Sequence, residues 1–265
     1  MNARNRHSLG SLLAAAILAA AGMQAAAGEI EFEFDPANFT PGAAIDNSYW
    51  PLSPNSVFVY YSESEDGCAV NEIRVTGGTK RDFAAPYESI IAWEVDDREW
   101  LDEDCAGDYA LMEQTTDWFA QDHDGNIWYL GEDTTAWDHE DECPSNAGAW
   151  QAGNEGAIAG VVIPGNPIVG SWYQQEFFEG EAEDRAKVLK LNATVSIGLG
   201  TFTNCLQTKE YSPLSPGTVE HKYYCPIGGG LLQIDELSGG KTVRVELIGA
   251  TLPAGTFAKR GICDQ

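Results

Sequence analysis

Positive charge is the scarcest thing in this chain. Lysine and arginine number 15 against 41 aspartates and glutamates, and the formal net charge is −26. Nucleic acid and anionic lipid are held by clustered Lys and Arg, so this balance argues against both as partners. Long apolar runs are missing too. The run at residues 12–21 falls far short of the ~20 residues that a membrane-spanning helix needs, and nothing reads as a membrane anchor. There is no CxxC pair, no GxSxG, no HExxH and no phosphate-binding P-loop. The simplest signals for redox, zinc-ribbon, serine-hydrolase, zinc-protease and nucleotide chemistry are therefore absent.

What is present begins with an address. Arg4 and Arg6 precede the short apolar run, and Ala25-Ala26-Ala27 supplies small residues where a signal peptidase reads. Residues 1–27 are expected to be a secretory signal peptide, leaving 28–265 as a single β-rich domain. No cysteine follows the cleavage site, so the expectation is a freely soluble periplasmic or secreted protein. The acidic balance has a plain reading, solubility, and a sharper one, a divalent-cation site.

Six cysteines follow the leader: Cys68, Cys105, Cys143, Cys205, Cys225 and Cys263. An even number in an oxidising compartment suggests up to three disulfides. Cys205 and Cys225 stand at equal distance from Ser215, within the turn Pro213-Leu214-Ser215-Pro216-Gly217. If the flanks form an antiparallel hairpin, the two lie opposite each other within bridging reach.

The chain after the leader reads as β throughout. Glycine (28) and proline (12) punctuate short runs of aromatic and β-branched residues. Strands are expected over 29–34, 57–61, 72–76, 89–94, 110–121, 126–131, 171–178, 186–191, 201–211, 218–224, 231–236 and 242–248. That spacing argues an antiparallel meander forming a barrel or strongly curved sheet. Asp122-His123-Asp124-Gly125 is a hairpin turn, since Asp-Gly supplies positive φ. Residues 180–187 could form a helical turn or continue a strand pair, and 148–170 is the best candidate for a long connection.

Asn47-Ser48-Tyr49-Trp50-Pro51-Leu52-Ser53-Pro54, followed by Val57-Phe58-Val59-Tyr60, resembles the opening of an uncharacterised family of secreted bacterial β-sheet proteins. Such proteins begin with an aromatic-Pro-Leu-x-Pro turn feeding a first strand. The stretches 117–129 and 207–224 look similar to the same family. The resemblance implies a secreted β-sheet protein and carries over no activity or catalytic residue.

Three constellations could carry chemistry. The first is an acidic rim in which Asp122, His123 and Asp124 join Asp138 and His139; oxygen-rich sites suit Ca²⁺, and the imidazoles would suit Zn²⁺ or Cu²⁺. A solvated loop explains the same residues. The second lies on the 201–225 hairpin, where His221 beside Glu210 could act as a general base, with Lys209 or Tyr223 stabilising an anion. Cross-strand charge pairing on a solvent face explains these equally well. The third gathers Glu176 and Asp184 with Gln174, Glu181, Glu183 and Arg185, a carboxylate set of the kind glycoside hydrolysis uses. Eight tryptophans fit a sugar-stacking cleft or an aromatic core. The expected function is an exported binding protein for a small hydrophobic ligand or a divalent cation. The alternative is a small hydrolase or lyase using His221 or the Glu/Asp cluster.

Overall fold

The computed structural model describes residues 28–137, 144–226 and 230–250. Fourteen strands run through it: β1 (Val57–Ser64), β2 (Gly67–Lys80), β3 (Ala92–Asp102), β4 (Ala110–Gln121), β5 (Ile127–Ala136), β6 (Trp150–Gln151), β7 (Ile158–Ile163), β8 (Trp172–Gln174), β9 (Glu176–Phe177), β10 (Arg185–Ile197), β11 (Gly200–Tyr211), β12 (Val219–Cys225), β13 (Gly230–Ser238) and β14 (Lys241–Gly249). Among the described residues there is no α-helix, only a 3₁₀ turn at Pro36–Asn38. The expected antiparallel all-β meander is what forms.

Thirteen strands follow one path, β8-β10-β11-β12-β13-β14-β1-β2-β3-β4-β5-β7-β9, with β6 paired to β5 off the path. The two ends of that path, β8 and β9, are consecutive in the chain and separated by Gln175 alone. The sheet therefore curls until its ends meet, and the chain itself completes the barrel. Close approach makes this seam possible. A Cβ on Gly160 in β7 would collide with the backbone of Gln175, so only glycine lets β7 lie against the join.

Several local expectations shift. The segment 29–34 is not a strand; it contributes one bridge, Glu29 to Trp172, and lays Phe32 and Phe34 on the core. The expected strand 89–94 starts later and runs as β3. The stretch 148–170 is not a bare connection, because β6 pairs with β5 at Gly131 and Glu132 and β7 pairs with β5 over residues 127–129. The candidate helical turn at 180–187 gives way to β10 from Arg185 onward.

Cys205 and Cys225 form the bridge argued from hairpin symmetry. A second bridge, Cys68 to Cys105, ties β2 to the loop after β3. Cys143 and Cys263 lie outside the described residues, as does the leader.

Residues before β1 enter the barrel. Ile45 and Leu52 are buried and hydrogen-bonded to each other through their backbones. Trp50 reaches across the interior, with its ring 5.2 Å from Phe119 on β4 and 6.1 Å from Tyr224 on β12. Aromatic and aliphatic side chains thus fill part of the interior. The rest is hollow.

Candidate functional site

A cavity of about 470 Å³ occupies the interior. Strand alternation decides what faces it, since every second side chain points inward. Val95, Asp97 and Glu99 face it from β3, Asp117 and Phe119 from β4, Tyr129 and Glu132 from β5. Glu176 and Asp184 reach it at the seam, Glu210 from β11, Glu220, Lys222 and Tyr224 from β12, and Glu236 from β13. The result is a belt of carboxyl groups around the inner wall, with Lys222 the one cation lining it among the described residues.

The register makes the belt dense. Asp117 stands directly opposite Glu132, Glu99 opposite Glu113, and Glu220 lies between Glu210 on one side and Glu236 on the other. Like charges directly opposite destabilise a sheet. Two devices relieve the repulsion. Lys222 Nζ lies 3.0 Å from Glu210 Oε2 and 3.0 Å from Glu220 Oε2. Its charge holds Glu220 below the usual carboxylate range. Burial alone would pull the Lys222 ammonium down, but Glu210 and Glu220 reverse this and raise it.

Protons are the second device. Burial, reinforced by neighbouring acids, lifts Asp97 and Glu132 each to about 7 and Glu176 to about 8. Asp117 is raised well above its normal value for the same reason, burial first and then Asp97 and Glu132. Asp184, Glu99 and Glu236 are also raised, chiefly by burial. Hydrogen bonds agree. The Tyr129 hydroxyl lies 2.5 Å from Asp117 Oδ1 and 2.8 Å from Glu132 Oε2. One hydroxyl has one proton to give, so serving both oxygens calls for a carboxyl that keeps its own. Asn71 Nδ2 donates to Asp97 Oδ1, and Trp150 Nε1 donates to Glu176 Oε2 at 3.1 Å.

The expected hairpin site is split by the sheet. Glu210 faces the cavity, where Thr208 Oγ1 donates to it at 2.7 Å. His221, Lys209 and Tyr223 belong to the opposite face. His221 sits opposite Lys209 in register and borders a shallow outer hollow with Gly217 and Leu237. Gln207 Nε2 donates to the Tyr223 hydroxyl on that same outer face. His221 acting as a base on Glu210 is corrected by this alternation: neighbours in sequence on a strand point to opposite sides. Glu176 and Asp184, by contrast, are brought together at the cavity seam.

The acidic rim is a structural turn. Asp122 is buried; it accepts from the Asn126 backbone N at 2.9 Å, from Asn126 Nδ2 at 2.8 Å and from Trp128 Nε1 at 2.8 Å. His123 Nε2 pairs with Thr40 Oγ1 at 2.9 Å, and Asp124 Oδ2 accepts from Asn38 Nδ2 at 2.9 Å. These side chains pin the entering segment to the β4–β5 hairpin, so their oxygens and nitrogens point at protein groups. Asp138 and His139 lie outside the described residues. Among the described residues no three His, Cys, Asp or Glu side chains converge where one metal ion could sit.

Asp97, Glu99, Asp117 and Glu236 were not singled out by the sequence. The signal existed in the i, i+2 spacing of Asp97 with Glu99 and of Glu220 with Lys222 and Tyr224. It reads as a solvent face until closure of the sheet turns it inward.

No protein-family model matches the chain, and no curated protein matches it. A solved structure from Parabacteroides distasonis ATCC 8503, described provisionally as a lipoprotein, is similar at a TM-score of 0.38 and 10% identity. The match covers 77% of this chain and 98% of that one.

Proposed function

We propose that this chain is an exported binding protein whose barrel takes a small polar cation carrying two or more amine groups. The carboxylate belt carries this reading. A hollow lined by acids with one lysine favours a cationic occupant over a hydrophobic one. Among the described residues the carboxyls are spread around the wall and no three converge on one point, which suits separated ammonium groups better than a single divalent ion. Trp50, Phe119, Tyr129 and Tyr224 supply ring faces in the same hollow, and aromatic faces attract ammonium groups. The two disulfides support folding in an oxidising, extracytoplasmic compartment.

The test is thermal unfolding at pH 8 with spermidine, calcium or glycerol added. Spermidine is expected to raise the Tm in a saturable way, since a ligand that binds only the folded state at 100 times its Kd adds about 2.7 kcal/mol. Glycerol should do nothing. An equal shift with calcium, or none with spermidine, would overturn the reading.

A second reading is a hydrolase with Glu176 as general acid. Its support is a carboxyl lifted to about 8 beside Asp184 and Glu132, the pattern that keeps a proton available near neutral pH. Loss of turnover on a chromogenic glycoside in Glu176→Gln would favour it, and no turnover by the intact protein would end it.

A further inference from the structure

The outer face of β8, β10, β11 and β12 carries the opposite charge from the cavity. Trp172, Lys187, Lys209 and His221 stand directly opposite one another in one row across these four strands. Lys190, Gln207 and Tyr223 form the next row, and Arg185 and Tyr211 pair in the row on the other side. Rows and strands a few ångströms apart make this one continuous patch on the outer wall.

Its cations are unmatched. Apart from Arg81, every other lysine and arginine among the described residues is ion-paired with a carboxylate. Arg185, Lys187, Lys190 and Lys209 have no such pair among the described residues, in a chain where acids outnumber bases nearly three to one. Two of them rest on rings instead: the Arg185 guanidinium carbon lies 5.7 Å from the Trp172 ring centre, and Lys209 Nζ lies 5.6 Å from that of Tyr211. The Arg185 Nε is buried and has no hydrogen-bond partner. Lys187 faces Lys209, a like-charge pairing that weakens a sheet. The acids bordering the platform are Glu29, which bridges to Trp172 at one end, and at the other Asp235, which accepts from Arg244 Nε at 2.9 Å, with Glu246 beside it.

We infer that this face docks an acidic polysaccharide, a glycan bearing carboxylate or sulfate groups. The cations supply charge complementarity, and the interleaved rings of Trp172, Tyr211 and Tyr223 offer surfaces on which sugars stack. A sparsely charged glycan fits better than nucleic acid. Duplex DNA carries one charge per ~1.7 Å, more than four cations answer, and the rest of this −26 chain would repel it.

Affinity electrophoresis of the intact protein tests this, with polygalacturonate, neutral dextran or single-stranded DNA in the gel. Polygalacturonate is expected to retard the chain and dextran not to. The double variant Lys187→Gln/Lys209→Gln should weaken retardation about tenfold or more, with its circular dichroism unchanged. Salt at about 1 M, where screening acts over ~3 Å, should abolish it. Glu176→Gln should leave it intact, which separates this platform from the cavity. Retardation that ignores the double variant, or is as strong on DNA, or is absent, overturns the proposal. So does sedimentation showing a dimer that the double variant dissolves, which would make the face a self-association surface.

Discussion

The inner and outer faces of β11 and β12 are built from alternate residues of the same strands, yet they handle charge in opposite ways. Inside, Glu210 and Glu220 confront each other across a mostly buried wall, and the conflict is relieved by Lys222 and by protons held on neighbouring carboxyls. Outside, Lys187 confronts Lys209 and the solvent screens them. The difference lies in the medium. A like-charge contact in water costs a few tenths of a kcal/mol, whereas an uncompensated buried charge costs several. Only the inner face is therefore expected to show strong pH dependence.

The sharpest way to break this contrast is Lys222→Met. Removing the one cation leaves Glu210 and Glu220 facing each other in the wall, and a loss of about 3–5 kcal/mol is expected in urea unfolding at pH 8. The loss should shrink at pH 5, where the acids can take up protons. Lys209→Met on the outer face should change stability by ~0.5 kcal/mol or less. Comparable losses in the two variants would erase the distinction between the faces.

Next in size is the pH response of the ligand-free protein. Asp97, Glu132 and Glu176 keep protons when folded up to about pH 7 to 8, while the unfolded chain releases them near pH 4. The folded state thus binds more protons across that window, so stability must fall as pH rises from 4 through 8. Denaturation midpoints should be higher at pH 5 than at pH 8, and Glu176→Gln should flatten that slope. A midpoint that climbs toward pH 8 would contradict the belt.

A third measurement links belt and occupant. A polyamine that replaces the held protons should cause proton release, seen by calorimetry as a binding heat that varies with the buffer's ionisation enthalpy. Binding should also strengthen between pH 6 and 8. Smallest of all should be the effect of salt on folding through the outer platform, where about 1 M salt is expected to shift stability by only tenths of a kcal/mol.

Much of the scaffold was legible because its determinants are local. Asp124-Gly125 named its turn, and the symmetric placement of Cys205 and Cys225 about Ser215 named its bridge. Short runs of aromatic and β-branched residues between turn signals, such as Ile127-Trp128-Tyr129-Leu130, announced strands. The cavity was hidden because its content depends on closure. Asp117 and Glu132 are 15 positions apart and meet only through the β4–β5 register, and Glu132 comes within reach of Asp184 only once the sheet has curled. A strand's polar side normally faces water, so alternation alone placed these acids outside. Proximity along the hairpin set His221 beside Glu210, and alternation undoes it: His221 pairs with Lys209 on the outer face, while Glu210 pairs with Glu220 inside. Asp122, read as a possible metal ligand, proved to be committed to Asn126 and Trp128.

The join at Gln175 bears on how the molecule behaves in company. Open sheets recruit one another through exposed backbone at their rims, the usual route to fibres and mis-assembly. At the join the rims are three residues of β8 and two of β9, and Gln175 alone connects them. Each rim stands where a foreign strand would have to enter. The join thereby shields its own short rims by geometry, and leaves the stretch of β10 beyond Val188, which no strand pairs on that side among the described residues, as the edge where a foreign strand could add.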